Sequence, residues 1–207
     1  MSELSGKANT TNVQAVIANP SALGLFGLAI VTFVASSQKL GITEGTSLII
    51  PWAIFLGACA QLVAGFSDSK LNNAFGATAF CGYGFFWLGV STTWLIQNGV
   101  FGEAIMANMD IKQLGFAFLG YLIFTLYMTV ASATTNKVLF IIFILIDLLF
   151  IGLACSVFGI AAGAMHLLAA VAELLIALFS FYGSAAIVLN GQYGKQILPL
   201  GKPIKLF

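Results

Sequence analysis

The chain has 207 residues, of which 60% are hydrophobic and only 7% charged, with a mean hydropathy of +1.03 and a net charge of +1. A water-soluble domain needs far more charge to cover its surface, so an aqueous globular fold is excluded. The near-neutral balance argues against nucleic acid as a partner, and the sequence contains no arginine, so no guanidinium fork is available to clamp a carboxylate.

In chain order, residues 1–18 form a polar tail that lacks the apolar core of a signal peptide. Six continuous apolar stretches follow, each near the roughly 20 residues a membrane-spanning helix requires. They run from Ser21 to Gln38, Thr46 to Phe66, Phe75 to Gln97, Gln113 to Ala131, Val138 to Phe158 and Met165 to Asn190. Their apolar runs do not alternate, which argues against a membrane β-barrel. The expected fold is an all-α integral membrane protein: one six-helix domain over 19–190, with a cytoplasmic tail at 1–18 and another at 191–207. Lys7, Lys70, Lys137, Lys195, Lys202 and Lys205 fall on one side of the membrane, Lys39 and Lys112 on the other. That bias places both termini in the cytoplasm and Trp52 and Trp94 near the outer interface.

The first stretch opens on Asn19-Pro20. Asn caps helices and Pro suits the first helical position. A helix start also offers free N–H groups and a positive dipole end, which suit an anion. In the second span, Gln61 shares a face with Gly57 and Gly65 and serves either as an interhelical hydrogen bond or as a ligand. In the third, Gly76, Phe80, Tyr83 and Trp87 share a face, which either packs helices or lines a conduction path. Asp147, His166 and Glu173 are ionisable groups within spans. His166, Glu173 and Ser180, spaced seven apart, form a polar stripe. These groups are either neutral or paired at protomer contacts, or they form a proton relay. Cys59, Cys81 and Cys155 read as small apolar filler. No nucleophile–base set, metal-ligand spacing or phosphate loop is visible, so neither an enzyme, a metal site nor a cofactor is expected.

"NPSALGL", starting at Asn19, resembles the NPAPLGL signature of the acetate uptake transporter family, which includes the bacterial succinate–acetate permeases. The resemblance continues through "AQLVAGFSDSKLNNAFGATAFCGYGFFWL", "FTLYM" and "VLNGQYGKQILPLG". Asn19, Pro20, Leu23, Gly24 and Leu25 match the signature, and Ala22 stands where it has a second Pro. The resemblance implies a plasma-membrane protein, with six helices per protomer, one pore in each protomer and six protomers in the assembly. It implies transport of acetate, and of succinate or other small carboxylates, either coupled to protons or channel-like. Alignment places an apolar constriction at Leu28, Tyr83 and Ile146. Asn19 is then expected to attract the carboxylate, with Gln61 and Thr78 supplying hydrogen bonds along the path. Two rivals stand: a channel for a small neutral solute such as urea, ammonia or water, and a non-transporting membrane receptor or scaffold.

Overall fold

The computed structural model describes residues 18–205. Lys7 and nearly all of the expected N-terminal tail lie outside them. The described secondary structure is entirely helical. Six helices are long and apolar enough to cross a membrane: α1 (Ser21–Lys39), α2 (Ile50–Lys70), α3 (Ala74–Gln97), α4 (Ile111–Ser132), α5 (Lys137–Val157) and α6 (Ala162–Tyr193). A five-residue helix, Glu103–Ala107, lies between α3 and α4.

α2 begins at Ile50 rather than Thr46 and ends at Lys70 rather than Phe66. Pro51 explains the start, because a proline fits only the first helical turn. The polar end stays helical, with Ser67 Oγ donating to the Val63 carbonyl at 2.8 Å. Between Ala53 and Ala60, α2 is wound in wider π-type turns, a rare geometry that recurs at functional sites.

Successive helices pack side by side, and α6 returns against α1, closing a ring. Glycine sets how closely they approach. A Cβ on Gly152 of α5 would lie 2.7 Å from the Met165 carbonyl oxygen at the start of α6, and a Cβ on Gly57 would meet Trp87 at 2.9 Å. Inside a bilayer, apolar faces gain little by leaving lipid, so such small-residue contacts carry the packing. Phe116, Ile123, Leu126, Tyr127 and Val130 of α4 stay exposed on the protein's outside.

Beyond α6 the chain turns back over the end of the bundle. Asn190 Oδ1 accepts from the Ile197 and Leu198 amides at 2.6 and 3.0 Å. The Val138 amide donates to the Leu200 carbonyl at 3.1 Å, and the Ile204 amide to the Ala133 carbonyl at 2.8 Å. The segment is thereby tied to the start of α5.

Candidate substrate path

The odd-numbered helices α1, α3 and α5 all start at the end of the bundle where α6 ends. Each start is held by an asparagine. Asn19 Oδ1 accepts from the Ser21 amide at 3.0 Å, Asn73 Oδ1 from Gly76 at 3.2 Å, and Asn136 Oδ1 from Leu139 at 3.0 Å. Pro20 already has helical angles, and its carbonyl accepts from the Gly24 amide at 3.1 Å. The α2–α3 turn is three residues long because Asn72 adopts a left-handed φ of 58°, which Asn tolerates better than most residues.

These three asparagines line the mouth of one cavity of about 340 Å³, with Thr134, Thr135 and Leu200 also contributing. Further in, the lining turns apolar, with Phe75, Phe80, Leu139, Ile142 and Phe143. Leu28, Tyr83, Ile146 and Gln61 line it as well. Leu28, Tyr83 and Ile146 lie seven to nine residues beyond the first residue of their helices, and Gln61 lies nine before the end of the antiparallel α2. At 1.5 Å per residue, all four sit at a similar depth, roughly 10–14 Å below the mouth. No charged side chain lines the cavity among the described residues.

Tyr83 is 4% exposed, and its ring meets Phe124 edge-on at 5.4 Å and Phe143 at 6.0 Å. Its hydroxyl lies 3.0 Å from Thr125 Oγ1 on α4. Gln61 is fully buried. Its Nε2 donates to the Gly57 carbonyl of its own helix at 2.8 Å, so this bond does not join two helices.

The other expected positions lie elsewhere. Leu23 and Thr78 are exposed on the outer surface and do not line the cavity, nor does Pro20. Asp147 faces α4, where its Oδ2 accepts from Thr129 at 2.7 Å, while its Oδ1 has no hydrogen-bond partner among the described residues. Glu173 pairs with Lys39 of α1 at 2.9 Å, at the opposite end of α1 from the cavity mouth. His166 Nε2 donates to the Lys39 carbonyl at 3.1 Å. Among the described residues, no hydrogen bond connects Asp147 with the Lys39–Glu173–His166 group.

Asn73 and Asn136 were not singled out in the sequence. Their signal was available, because each precedes the apolar run of an odd-numbered helix as Asn19 does. Leu200 reaches the mouth only through the folded-back segment, which the one-dimensional pattern does not show.

The fold and this cavity define a multi-pass α-helical membrane protein with a cavity among its helices. The chain belongs to the GPR1/FUN34/yaaH family, whose model matches residues 3–199; the resemblance drawn from "NPSALGL" holds. It is 31% identical over 186 residues to the succinate-acetate/proton symporter SatP of Escherichia coli strain K12, covering 90% of this chain and 96% of that one. It is 33% identical over 179 residues to accumulation of dyads protein 2 of Saccharomyces cerevisiae, a match that takes in 84% of this chain but only 62% of the yeast protein. In structure it is similar to the bacterial acetate channel SatP, with a TM-score of 0.82 and 31% identity, covering 90% of this chain and all of that one.

Proposed function

We propose that this protein carries acetate, and succinate or other small carboxylates, across the plasma membrane, through a pore inside each of six protomers, with both termini in the cytoplasm. The observation that carries the reading is the cavity itself. Three helix N-termini meet at its mouth, and four lining residues share a depth at its inner end. The positive ends of three helix dipoles favour an anion there without any cationic side chain. The apolar ring of Leu28, Tyr83 and Ile146 then restricts what passes. The likeness to proteins named as a symporter and as a channel for these acids supports the same reading, and it supports transport rather than catalysis. Orientation rests on the lysine bias, and the six-protomer assembly on the family resemblance.

The test is protein-dependent uptake of labelled acetate, succinate and urea into vesicles containing the purified protein. Acetate uptake above that of protein-free vesicles is expected. Tyr83→Ala removes the ring that narrows the floor, so the preference should shift toward succinate while acetate flux is kept or raised. Urea flux without acetate flux would replace this reading with a neutral-solute channel. No flux of any solute would favour a receptor or scaffold. An assembled Tyr83→Ala protein with unchanged rate and preference would move the restriction to another helix face.

A further inference from the structure

We infer that Trp87 is the gate of the path. Its indole, seated on Gly57, closes the route one helical turn beyond the cavity, and a solute crosses only when the indole leaves that seat. This rests on the reading of the cavity as a transport path, and deepens it by separating what opens the path from what selects the solute.

Leu28, Gln61, Tyr83 and Ile146 line the inner end of the cavity. The next turn of the same helices, about 6 Å further from the mouth, brings Val31 on α1, Gly57 on the antiparallel α2, Trp87 on α3, and Leu149 and Phe150 on α5. None of these residues lines the cavity. The four side chains among them are buried, Val31 and Phe150 almost completely. Trp87 follows Tyr83 by four residues, so it stands behind the Tyr83 ring on the same face of α3. The path is therefore open at the mouth and closed at this layer.

Trp87 is the member of the layer that can open it. α2 contributes no side chain here. A Cβ on Gly57 would lie 2.9 Å from Trp87 Cγ, 3.2 Å from Trp87 Cβ and 3.1 Å from Val31 Cγ2. The indole thus fills against bare backbone the space that a side chain of α2 would otherwise take. Phe150, in contrast, is held by three rings, with Phe86 at 5.2 Å, Tyr121 at 5.7 Å and Phe118 at 6.3 Å. Val31 is β-branched and stiff at χ1 within a helix. Moving the indole opens the layer between α2 and α3 and leaves the packing of α1 and α5 in place.

The seat itself is unusual. Gly57 lies within the π-wound stretch Ala53–Ala60, and its carbonyl accepts from Gln61 Nε2 at 2.8 Å. Gln61 lines the cavity, and its Oε1 has no partner among the described residues. One hydrogen bond therefore joins the backbone beneath the indole to a side chain that a solute in the cavity can touch. A gate of this kind differs from a selector. It changes the rate of every solute by the same factor, whereas the ring at Leu28, Tyr83 and Ile146 sets the ratio between them.

The experiment uses the full-length protein in phosphatidylcholine vesicles, with the values for protein-free vesicles subtracted. Initial uptake of labelled acetate and of labelled succinate is measured, and osmotic water permeability is followed by light scattering. In Trp87→Leu of normal assembly both uptakes should rise by one common factor of about five, which corresponds to a barrier lower by about 1 kcal/mol. Water permeability should rise with them, which loosened packing around a path that stays closed would not produce. Trp87→Phe gives the same comparison, with a smaller rise, if Trp87→Leu does not assemble. Unchanged or slower uptake with unchanged water permeability would overturn the gate and leave acetate transport standing. A changed ratio of acetate to succinate would also overturn it, because Trp87 would then be a selector. Raised water permeability in Trp87→Leu, with no acetate or succinate uptake by either protein, would keep the gate and remove the carboxylate reading.

Discussion

At one end of the bundle Lys39 and Glu173 meet at 2.9 Å with side chains 13% and 2% exposed; at the other, Asn19, Asn73 and Asn136 surround an open mouth whose lining includes no charged residue among those described. Both ends must satisfy polar groups against an apolar surrounding. The first does so by pairing full charges, which fixes α1 to α6 and leaves nothing over for a solute. The second uses neutral amides, which take up only part of each helix's first-turn N–H groups. The dipoles of α1 and α5 then face the mouth with no carboxyl group on the lining, while Asp68 stands beside Asn73 at the start of α3. The comparison separates a polar group that holds the fold from one that can also meet a passing molecule.

The largest effect should come from breaking the paired end. Glu173→Ala leaves the Lys39 ammonium largely buried without its partner. Losing one member of such a pair costs about 3–5 kcal/mol, read as a loss of thermal stability in detergent. The double change Lys39→Met with Glu173→Leu should recover most of it, because no charge is then stranded. A cost below about 1 kcal/mol for Glu173→Ala would mean that the pair behaves as a surface contact, and the contrast between the two ends would weaken.

A smaller loss is expected at the open end from Asn73→Ala. Asn73 caps α3 and also donates from Nδ2 to Asp68 Oδ1 at 2.9 Å. Asp68 is 2% exposed, and its Oδ2 already has no partner among the described residues. Removing a cap costs about 1 kcal/mol, and a hydrogen bond to a charged acceptor adds about 1.5 kcal/mol or more. The same unfolding measurement should show roughly 2–3 kcal/mol. A change confined to the cap's own value would mean that Asp68 does not depend on Asn73.

Hydropathy made the helix count legible, because spans of nearly 20 apolar residues have few alternative readings. It misplaced α2, whose last turn, Ser67–Lys70, is polar yet helical; the apolar run ends before the helix does. Helical geometry alone separates Thr78 from Tyr83: five residues turn the helix by about 500°, leaving them roughly 140° apart, and the structure puts Thr78 outside and Tyr83 on the cavity. The pairing of Lys39 with Glu173 spans 134 positions, so no local pattern reports it. The stripe of His166, Glu173 and Ser180 is real as a face of α6, but a lysine from α1 engages only the first two, through its carbonyl and its ammonium. The depth shared by Leu28, Tyr83 and Ile146 was reached by alignment to a motif, since three separate helices must be superposed before it appears.

The smallest effect on stability, and the most direct probe of the mouth, comes from Asn19. Asn19→Ala removes the bond to the Ser21 amide and should cost about 1 kcal/mol. That change alone cannot divide capping from solute attraction, since it removes the cap and any contact together. Asn19→Asp divides them. Aspartate caps a helix as well as asparagine does, so thermal stability should stay near wild type. It also adds a negative charge to the mouth. A like charge about 5 Å from a carboxylate in water-like surroundings costs about 0.8 kcal/mol, close to a fourfold fall in the local anion concentration. Initial acetate uptake by Asn19→Asp at low salt should therefore drop about fourfold and recover as ionic strength rises and the charge is screened. Uptake equal to wild type at low salt, in protein of unchanged stability, would reduce Asn19 to a cap like any other, and the anion-gathering role of the mouth would then rest on Asn73, Asn136 and the helix ends alone.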